Sequence, residues 1–258
     1  MTSRGPWHPE RPLGLGRALA KAGHGTRQAT DAIVREGRVT VNGDVVRDPA
    51  RCVDVRDVIE LDGQPLEAVR LRYFAFNKPL RVAARPGDPD GRRLVDDFLP
   101  RDVPGLRAAG RLDALTAGLL FVSNDSAWNA LAAPARGAER EFRVEVTGEM
   151  TDLELGLIAS GMHLHRLGFV RPRSVKLVRR ESTRTEVSIT IGHGRNRQIR
   201  RLFDSLRHEV IVLRRVRIGP VELGELMPGQ LRELTTAEVE AIRRLSRMDR
   251  GRRADGER

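Results

Sequence analysis

Apolar residues recur along this chain in two rhythms, and the change from one to the other marks out its parts. Leu15, Ala18, Leu19 and Ala22 fall at helical spacing, and Gly23 and Gly25 interrupt them. Thr26 then stands where an N-cap belongs, ahead of a second helix whose Ala29, Ile33 and Val34 form the face to be buried; Gly37 stops it. The next stretch, VTVNGDVV at 39–46, alternates around Asn42-Gly43. A tight hairpin needs positive φ at both turn residues, and Asn and Gly supply it. Residues 13–62 therefore predict a small helix-helix-hairpin domain. From residue 70 the period of two takes over: YFAF from 73, LLFV from 119, FRVEV from 142, TEVSITI from 185 and VIVL from 210 predict strands. Helices are predicted by RNRQIRRLFDSL, with Ile199, Leu202, Phe203 and Leu206 at i, i+3, i+4 and i+7, and by TTAEVEAIRRL, which opens with a capping box from Thr235 to Glu238. Strands outnumber helices and no regular strand-helix-strand rhythm appears, so residues 70–245 read as an α+β domain with a mixed, mostly antiparallel sheet. The segment 1–12, rich in Pro, predicts a flexible N-terminal lead, and 246–258, polar, basic and aperiodic, a disordered tail.

Charge narrows the partners. The 258 residues hold 46 Lys and Arg against 35 Asp and Glu, a formal charge of +11, which points to a polyanion and above all to nucleic acid. No run of eighteen apolar residues exists, so no membrane partner is expected; Pro6, Pro9, Glu10 and Pro12 stand where a secretory leader would be apolar. The single Cys52 excludes an internal disulfide, and a cytoplasmic protein is the expectation. His163 and His165 have no Cys nearby, so no metal site is expected. In GHGRNR, at 192–197, Arg197 replaces the third glycine of a dinucleotide loop, and no nucleotide cofactor is expected either. Arg17, Lys21, Arg27, Arg35 and Arg38 lie on outer faces of the first domain, either as an ordinary solvated face or as a phosphate-tracking patch. Residues 195–217 carry Arg195, Arg197, Arg200, Arg201, Arg207, Arg214, Arg215 and Arg217 against only Asp204 and Glu209. Such guanidinium groups at a helix start beside a Gly turn suit a phosphate backbone.

One acid stands out against this background. In GRLDALTAG, at 110–118, Asp113 follows Arg111 closely and is flanked by Leu112, Leu115, Leu119 and Leu120, which would half-bury its carboxylate. A lone Asp near an Arg is ordinarily a structural ion pair or a turn cap, and Phe142 alone would be a core aromatic.

The longer motifs carry a resemblance. RALAKAGHGTRQATDAIVREGRVTVNGDVV resembles the S-four type RNA-binding module, with Thr26-Arg27-Gln28 in place of its usual Ser-Arg-Arg. NKP at 77–79, GRLDALTAGLLFVSND at 110–125 and GRNRQIRRLF at 194–203 followed by VRIGPVELGEL resemble, in order, the motifs of bacterial ribosomal RNA pseudouridine synthases. That resemblance spans residues 13–245. It implies a two-part sheet with a central cleft, no cofactor, and isomerisation of uridine to pseudouridine in ribosomal RNA, within a ribosomal subunit assembly intermediate and by a monomer. Asp113 matches the catalytic aspartate, which attacks the anomeric carbon or removes the neighbouring sugar proton. Arg200 matches its basic partner, offsetting the desolvation that would raise the carboxyl's pKa. Ile199 matches the residue packed near uracil, and Arg111 the one holding the target base out of the stack. Phe142 replaces a stacking Tyr, and Arg81 replaces a Gly after the NKP. The competing reading is a non-catalytic RNA-binding or ribosome-assembly protein on the same fold; an intact pair of Asp113 and Arg200 argues against it.

Overall fold

The structure is a computed structural model that describes residues 12–54, 56–66, 70–84, 88, 90–133, 138–192 and 197–245. The expected N-terminal lead, up to residue 11, and the expected tail, 246–258, lie outside the described residues, as does Arg195. The chain forms two compact units, Met1–Arg72 with Pro100–Leu106 and Tyr73–Leu99 with Arg107–Arg258.

In the first unit the helices Leu15–Lys21 and Arg27–Arg35 stand beside a sheet of strands ordered Asp44–Val46, Val39–Val41, Ile59–Leu61 and Gln64–Pro65. Thr26 caps the second helix, its hydroxyl accepting from the Ala29 N–H at 3.3 Å. Asn42 and Gly43 take the expected positive φ, 55° and 88°, at the hairpin tip. The buried face of the second helix departs from the one expected at Ala29. Ala29 is exposed and Ile33 half-buried, while Thr30 and Val34 are fully buried. The cause is a polar contact that hydrophobic spacing does not register: the Thr30 hydroxyl donates to the Gly16 carbonyl at 2.7 Å and draws that face of the helix inward. Leu15, Leu19, Val34, Val39, Val53 and Ile59 close the core.

In the second unit every predicted strand is present. The main sheet runs in the order Ser174–Arg180, Arg184–Ile191, Arg140–Thr147, Val210–Ile218, Ala117–Ser123, Tyr73–Lys78, Leu231–Glu233. Among the described residues all its ladders are antiparallel but one, in which Arg214 and Arg215 pair in parallel with Ala117 and Gly118. Past that short junction the strand Arg107–Ala109 pairs with Ser123, Val122 and Phe121. The sheet thus has two halves joined at two residue pairs, and each half has its own core. One gathers Val144, Val146, Met150, Val187, Leu202 and Phe203. The other gathers Ala75, Leu119, Phe121, Trp128, Val239 and Ile242. The helix Gln198–Asp204 packs on the first half, and helical residues 236–245, opened by the Thr235–Glu238 capping box, supply Val239 and Ile242 to the second.

Asn77 and Lys78 are the buried end of the strand Tyr73–Lys78, and the turn begins only after them. Asn77 is held there by donating to the Leu226 carbonyl at 2.6 Å. Pro restricts the preceding residue to extended geometry, which here prolongs a strand rather than bending it.

Candidate active site

A cleft of about 330 Å³ opens at the junction of the two sheet halves, lined by parts of five segments, among them Ile191 at the end of the strand Arg184–Ile191. The loop between strands Arg107–Ala109 and Ala117–Ser123 supplies Arg111, Leu112, Asp113 and Thr116. The strand Arg140–Thr147 supplies Arg140 and Phe142, and alternation turns the intervening Glu141 to the other face, where it pairs with Arg217 at 3.0 Å. Leu213 and Arg215 come from the neighbouring strand, with Arg215 directly across from Phe142. Gln198, Ile199 and Arg200 come from the helix start, next to Arg197.

Asp113, Arg111, Phe142, Ile199, Arg200 and Arg197 are therefore gathered around one cavity. Their environments differ from expectation in two respects. The Asp113 carboxylate is exposed, not half-buried, because the flanking leucines diverge: Leu112 turns into the core at 7% exposure while Leu115 turns out to 49%. A turn closed by the Thr116 N–H donating to the Asp113 carbonyl at 2.9 Å produces that divergence. Nor does Arg200 ion-pair with Asp113, which makes no side-chain hydrogen bond or ion pair with any other described residue. Arg200 instead donates to the Leu115 carbonyl at 2.6 Å and the Val210 carbonyl at 2.9 Å, tying the Asp113 loop to the adjacent strand. Burial lowers the Arg200 pKa, while the negative charges of Asp204 and Asp113 act in the opposite sense. The coupling to Asp113 is thus through space rather than through direct pairing.

The floor of the site was not anticipated. Arg140 and Arg215 are 1% and 2% exposed, and both line the cleft. Arg215 donates from Nε to the Leu119 carbonyl at 2.7 Å, whereas no nitrogen of the Arg140 guanidinium has a partner among the described residues. Desolvation pushes Arg140 down to about 10, and desolvation with the charge of Arg140 pushes Arg215 down to about 9. Both remain cations at neutral pH. Period-two alternation of Arg140 with Phe142 was the available signal for the first; for Arg215 only the pairing register reveals it.

Lys78 is fully buried, donating to the carbonyls of Pro79 at 2.9 Å and Val82 at 2.7 Å. Desolvation pushes it down to about 8, opposed by the charge of Asp113. Because the folded pKa lies below the ordinary value of 10.5, the unfolded chain binds more protons between those values, and stability rises with pH there. Between pH 8 and 10 the gain is on the order of 2 kcal/mol, and Lys78→Met is expected to flatten that rise in urea titrations. A slope equal to that of the parent protein would show that Lys78 is not the group responsible.

Arg81, in place of the resembling family's Gly, adopts φ 62° and donates its N–H to the Ala114 carbonyl at 2.7 Å. The position demands a left-handed residue, which explains why Gly suits it. In the first unit Arg38 is engaged by Asp62 at 2.6 and 2.9 Å and Arg27 by Asp31 at 2.8 Å. Arg17, Lys21 and Arg35 have no ion-pair partner among the described residues.

A two-part sheet thus gathers an aspartate, an aromatic, an aliphatic side chain and several arginines in one cleft, and comparison with known proteins gives the class, RNA-modifying enzymes. Residues 72–205 match the model of the RNA pseudouridylate synthase family, and residues 15–59 match the S4 domain. An uncharacterized RNA pseudouridine synthase of Aquifex aeolicus is 34% identical over 229 residues, 87% of this chain and 91% of that protein. Ribosomal large subunit pseudouridine synthase B of Vibrio vulnificus is 37% identical over 240 residues, 90% of this chain and 74% of that protein. Its Bacillus subtilis counterpart is 34% identical over 243 residues, 93% and 98% of the two chains. A crystal structure of a pseudouridylate synthase superposes with a TM-score of 0.58 at 27% identity, covering 89% of this chain and 99% of that one. The chain belongs to the RNA pseudouridylate synthase family, with an S4 domain in front. It is an RNA pseudouridine synthase.

Proposed function

We propose that this enzyme converts uridine to pseudouridine in the RNA of the large ribosomal subunit, during assembly, in the cytoplasm, as a monomer and without a cofactor. The observation that carries the reading is the solvent-open carboxylate of Asp113, without a partner among the described residues, at the mouth of a cleft of nucleoside size. An aspartate acting as a cap or an ion-pair partner would be engaged; this one is open to a ligand in the cleft. Asp113 acts on the sugar, as nucleophile at the anomeric carbon or as base toward the neighbouring proton. Phe142, 6% exposed, and Ile199, 4% exposed, offer apolar surface to a flipped uracil. Arg111, exposed beside Asp113, occupies the space the base leaves, offsetting the few kcal/mol of unstacking. Arg200 positions the Asp113 loop through its hydrogen bonds to two carbonyls. Arg17, Lys21 and Arg35, together with Arg27, Arg38, Arg195 and Arg197, supply sequence-independent attraction to phosphate.

Support for the large subunit comes from the names of the relatives from Vibrio vulnificus and Bacillus subtilis. Among the described residues no helix is long and apolar enough to cross a membrane. The test is to map pseudouridines in both ribosomal RNAs from cells with and without the gene, and to repeat the reaction with purified protein on naked RNA and on assembly intermediates. A site missing from the small-subunit RNA alone would overturn the substrate assignment. For the front domain, replacing Arg17, Lys21 and Arg35 together with Gln is expected to lower the slope of log affinity against log salt by roughly 0.7–0.9 for every phosphate that is no longer neutralised. An unchanged slope would show that these three cations do not meet phosphate.

A further inference from the structure

Two buried cations facing a cleft with no counter-ion among the described residues are costly unless something negative arrives there. Among the described residues six buried side-chain nitrogen or oxygen atoms have no hydrogen-bond partner; three belong to Arg140 and one to Arg215. Both residues lie on the face that carries Phe142, for Arg140 and Phe142 are two apart on one strand and Arg215 is across from Phe142. The Arg215 main chain is fixed against Gly118, and its Nε is already committed to the Leu119 carbonyl. The remaining donors are therefore held in place rather than free to turn toward bulk water. Neighbouring arginines satisfy themselves otherwise: Arg217 pairs with Glu141, and Arg200 with two carbonyls.

We propose that Arg140 and Arg215 receive the leaving uracil, their free guanidinium N–H groups donating to the ring carbonyl oxygens on which negative charge collects during the reaction. This rests on reading the Asp113 cleft as the active site. In the reaction the bond between the anomeric carbon and the ring nitrogen breaks, and its electron pair stays with the base, spread over the nitrogen and the two carbonyl oxygens. The anomeric carbon is left bonded to the Asp113 carboxylate, or double-bonded to its neighbour with the proton on Asp113. After the ring turns, carbon five bonds to the anomeric carbon as the Asp113 oxygen leaves it, or as Asp113 returns its proton to the neighbouring sugar carbon; the proton carbon five then loses is balanced by the one the ring nitrogen gains, and Asp113 is a free carboxylate again. No oxidant or other reactant is needed. The base is neutral before and after and anionic only between, so preorganised cations in a water-poor floor favour the charged stage over the bound ground state. A phosphate is a poorer occupant. It is charged throughout, strongly hydrated and tethered on both sides to the backbone, and so is ill suited to a floor whose arginines are only 1% and 2% exposed. The same donors would also reject cytosine, which presents an amino group in place of one carbonyl.

The experiment compares two substrates: RNA with uridine at the target position and RNA with 5-fluorouridine there. Fluorine withdraws electrons and makes the base a better leaving group, so it depends less on outside stabilisation. Single-turnover loss of the target nucleoside is followed by digestion and chromatography for Arg140→Met and Arg215→Met in the full-length protein. The expected result is a fall of about 10²-fold or more with uridine, as for loss of one oxyanion donor, and a several-fold smaller fall with 5-fluorouridine. Arg140→Lys and Arg215→Lys, which keep the charge, should recover part of the loss, and they carry the comparison if a Met variant does not fold. Equal falls on both substrates would overturn the proposal, since a purely structural role penalises both alike. Asp113→Asn is run in parallel. If it stays active the active-site reading fails; if it is dead while the arginine variants lose equally on both substrates, only the present proposal fails.

Discussion

Asp113→Asn is expected to abolish pseudouridine formation while leaving the protein as stable as its parent. Asn keeps the size of the side chain and loses its charge, its nucleophilicity and its basicity. If Asp113 is a proton acceptor the loss is about 10²–10⁴-fold, and if it is the nucleophile no slower route replaces it. A loss of about 10³-fold corresponds to about 4 kcal/mol of barrier. The stability side follows from the geometry: the carboxylate is exposed and has no hydrogen-bond or ion-pair partner among the described residues, so unfolding should change by less than about 0.5 kcal/mol. RNA affinity should hold or tighten slightly, because a negative charge near a polyanion has been removed. Activity is read as tritium release from RNA labelled at carbon five of uracil, and stability from urea unfolding. Wild-type turnover would remove Asp113 from the mechanism. A loss of activity accompanied by a loss of several kcal/mol would instead mark it as a structural residue.

The sequence carried the elements of this fold further than it carried the environment of the site. Strands were legible because Phe142, Val144 and Val146 alternate with polar neighbours, and the hairpin because Asn42-Gly43 can take positive φ where other residues resist it. Burial of Thr30 in place of Ala29 was not legible, since a hydroxyl bonded to a carbonyl fourteen residues away leaves no mark on hydrophobic periodicity. That Arg111, Asp113, Phe142, Ile199 and Arg200 would share one cleft was legible from motif order. The electrostatics were not, because they depend on which way each side chain turns. Leu112 and Leu115 look alike in sequence but go to opposite sides of the loop, and so the Asp113 carboxylate is open where a half-buried one was expected. Arg200 looked like an ion-pair partner and is a clasp on two carbonyls. Arg215 stood in a run of arginines, and only the strand register distinguishes it from Arg214 and Arg217.

That register depends on one glycine, and Gly118→Ala should be strongly destabilising. Gly118 has φ +101°, a conformation that L side chains rarely adopt. A Cβ there would lie 2.8 Å from the Arg215 main-chain nitrogen and closer still to the Arg215 carbonyl oxygen, both of them backbone atoms that cannot rotate away. The site of the clash is the parallel ladder through which Arg214 and Arg215 pair with Ala117 and Gly118, joining the two halves of the sheet. Opening it would also move Arg215, whose Nε is bonded to the Leu119 carbonyl, and with it the floor of the cleft. Backbone strain and overpacking together suggest a loss of about 3 kcal/mol or more. At roughly 2–4 °C per kcal/mol for a unit of this size, Tm should fall by about 6 °C or more, and activity should fall at temperatures well below the melt. Gly43→Ala is the control, since its φ of +88° is equally unsuited to a side chain but no atom lies within 4 Å of the added methyl. It should cost only about 1 kcal/mol. If the two variants melted together, the close approach of the strands at Gly118 would not be what holds the halves in register.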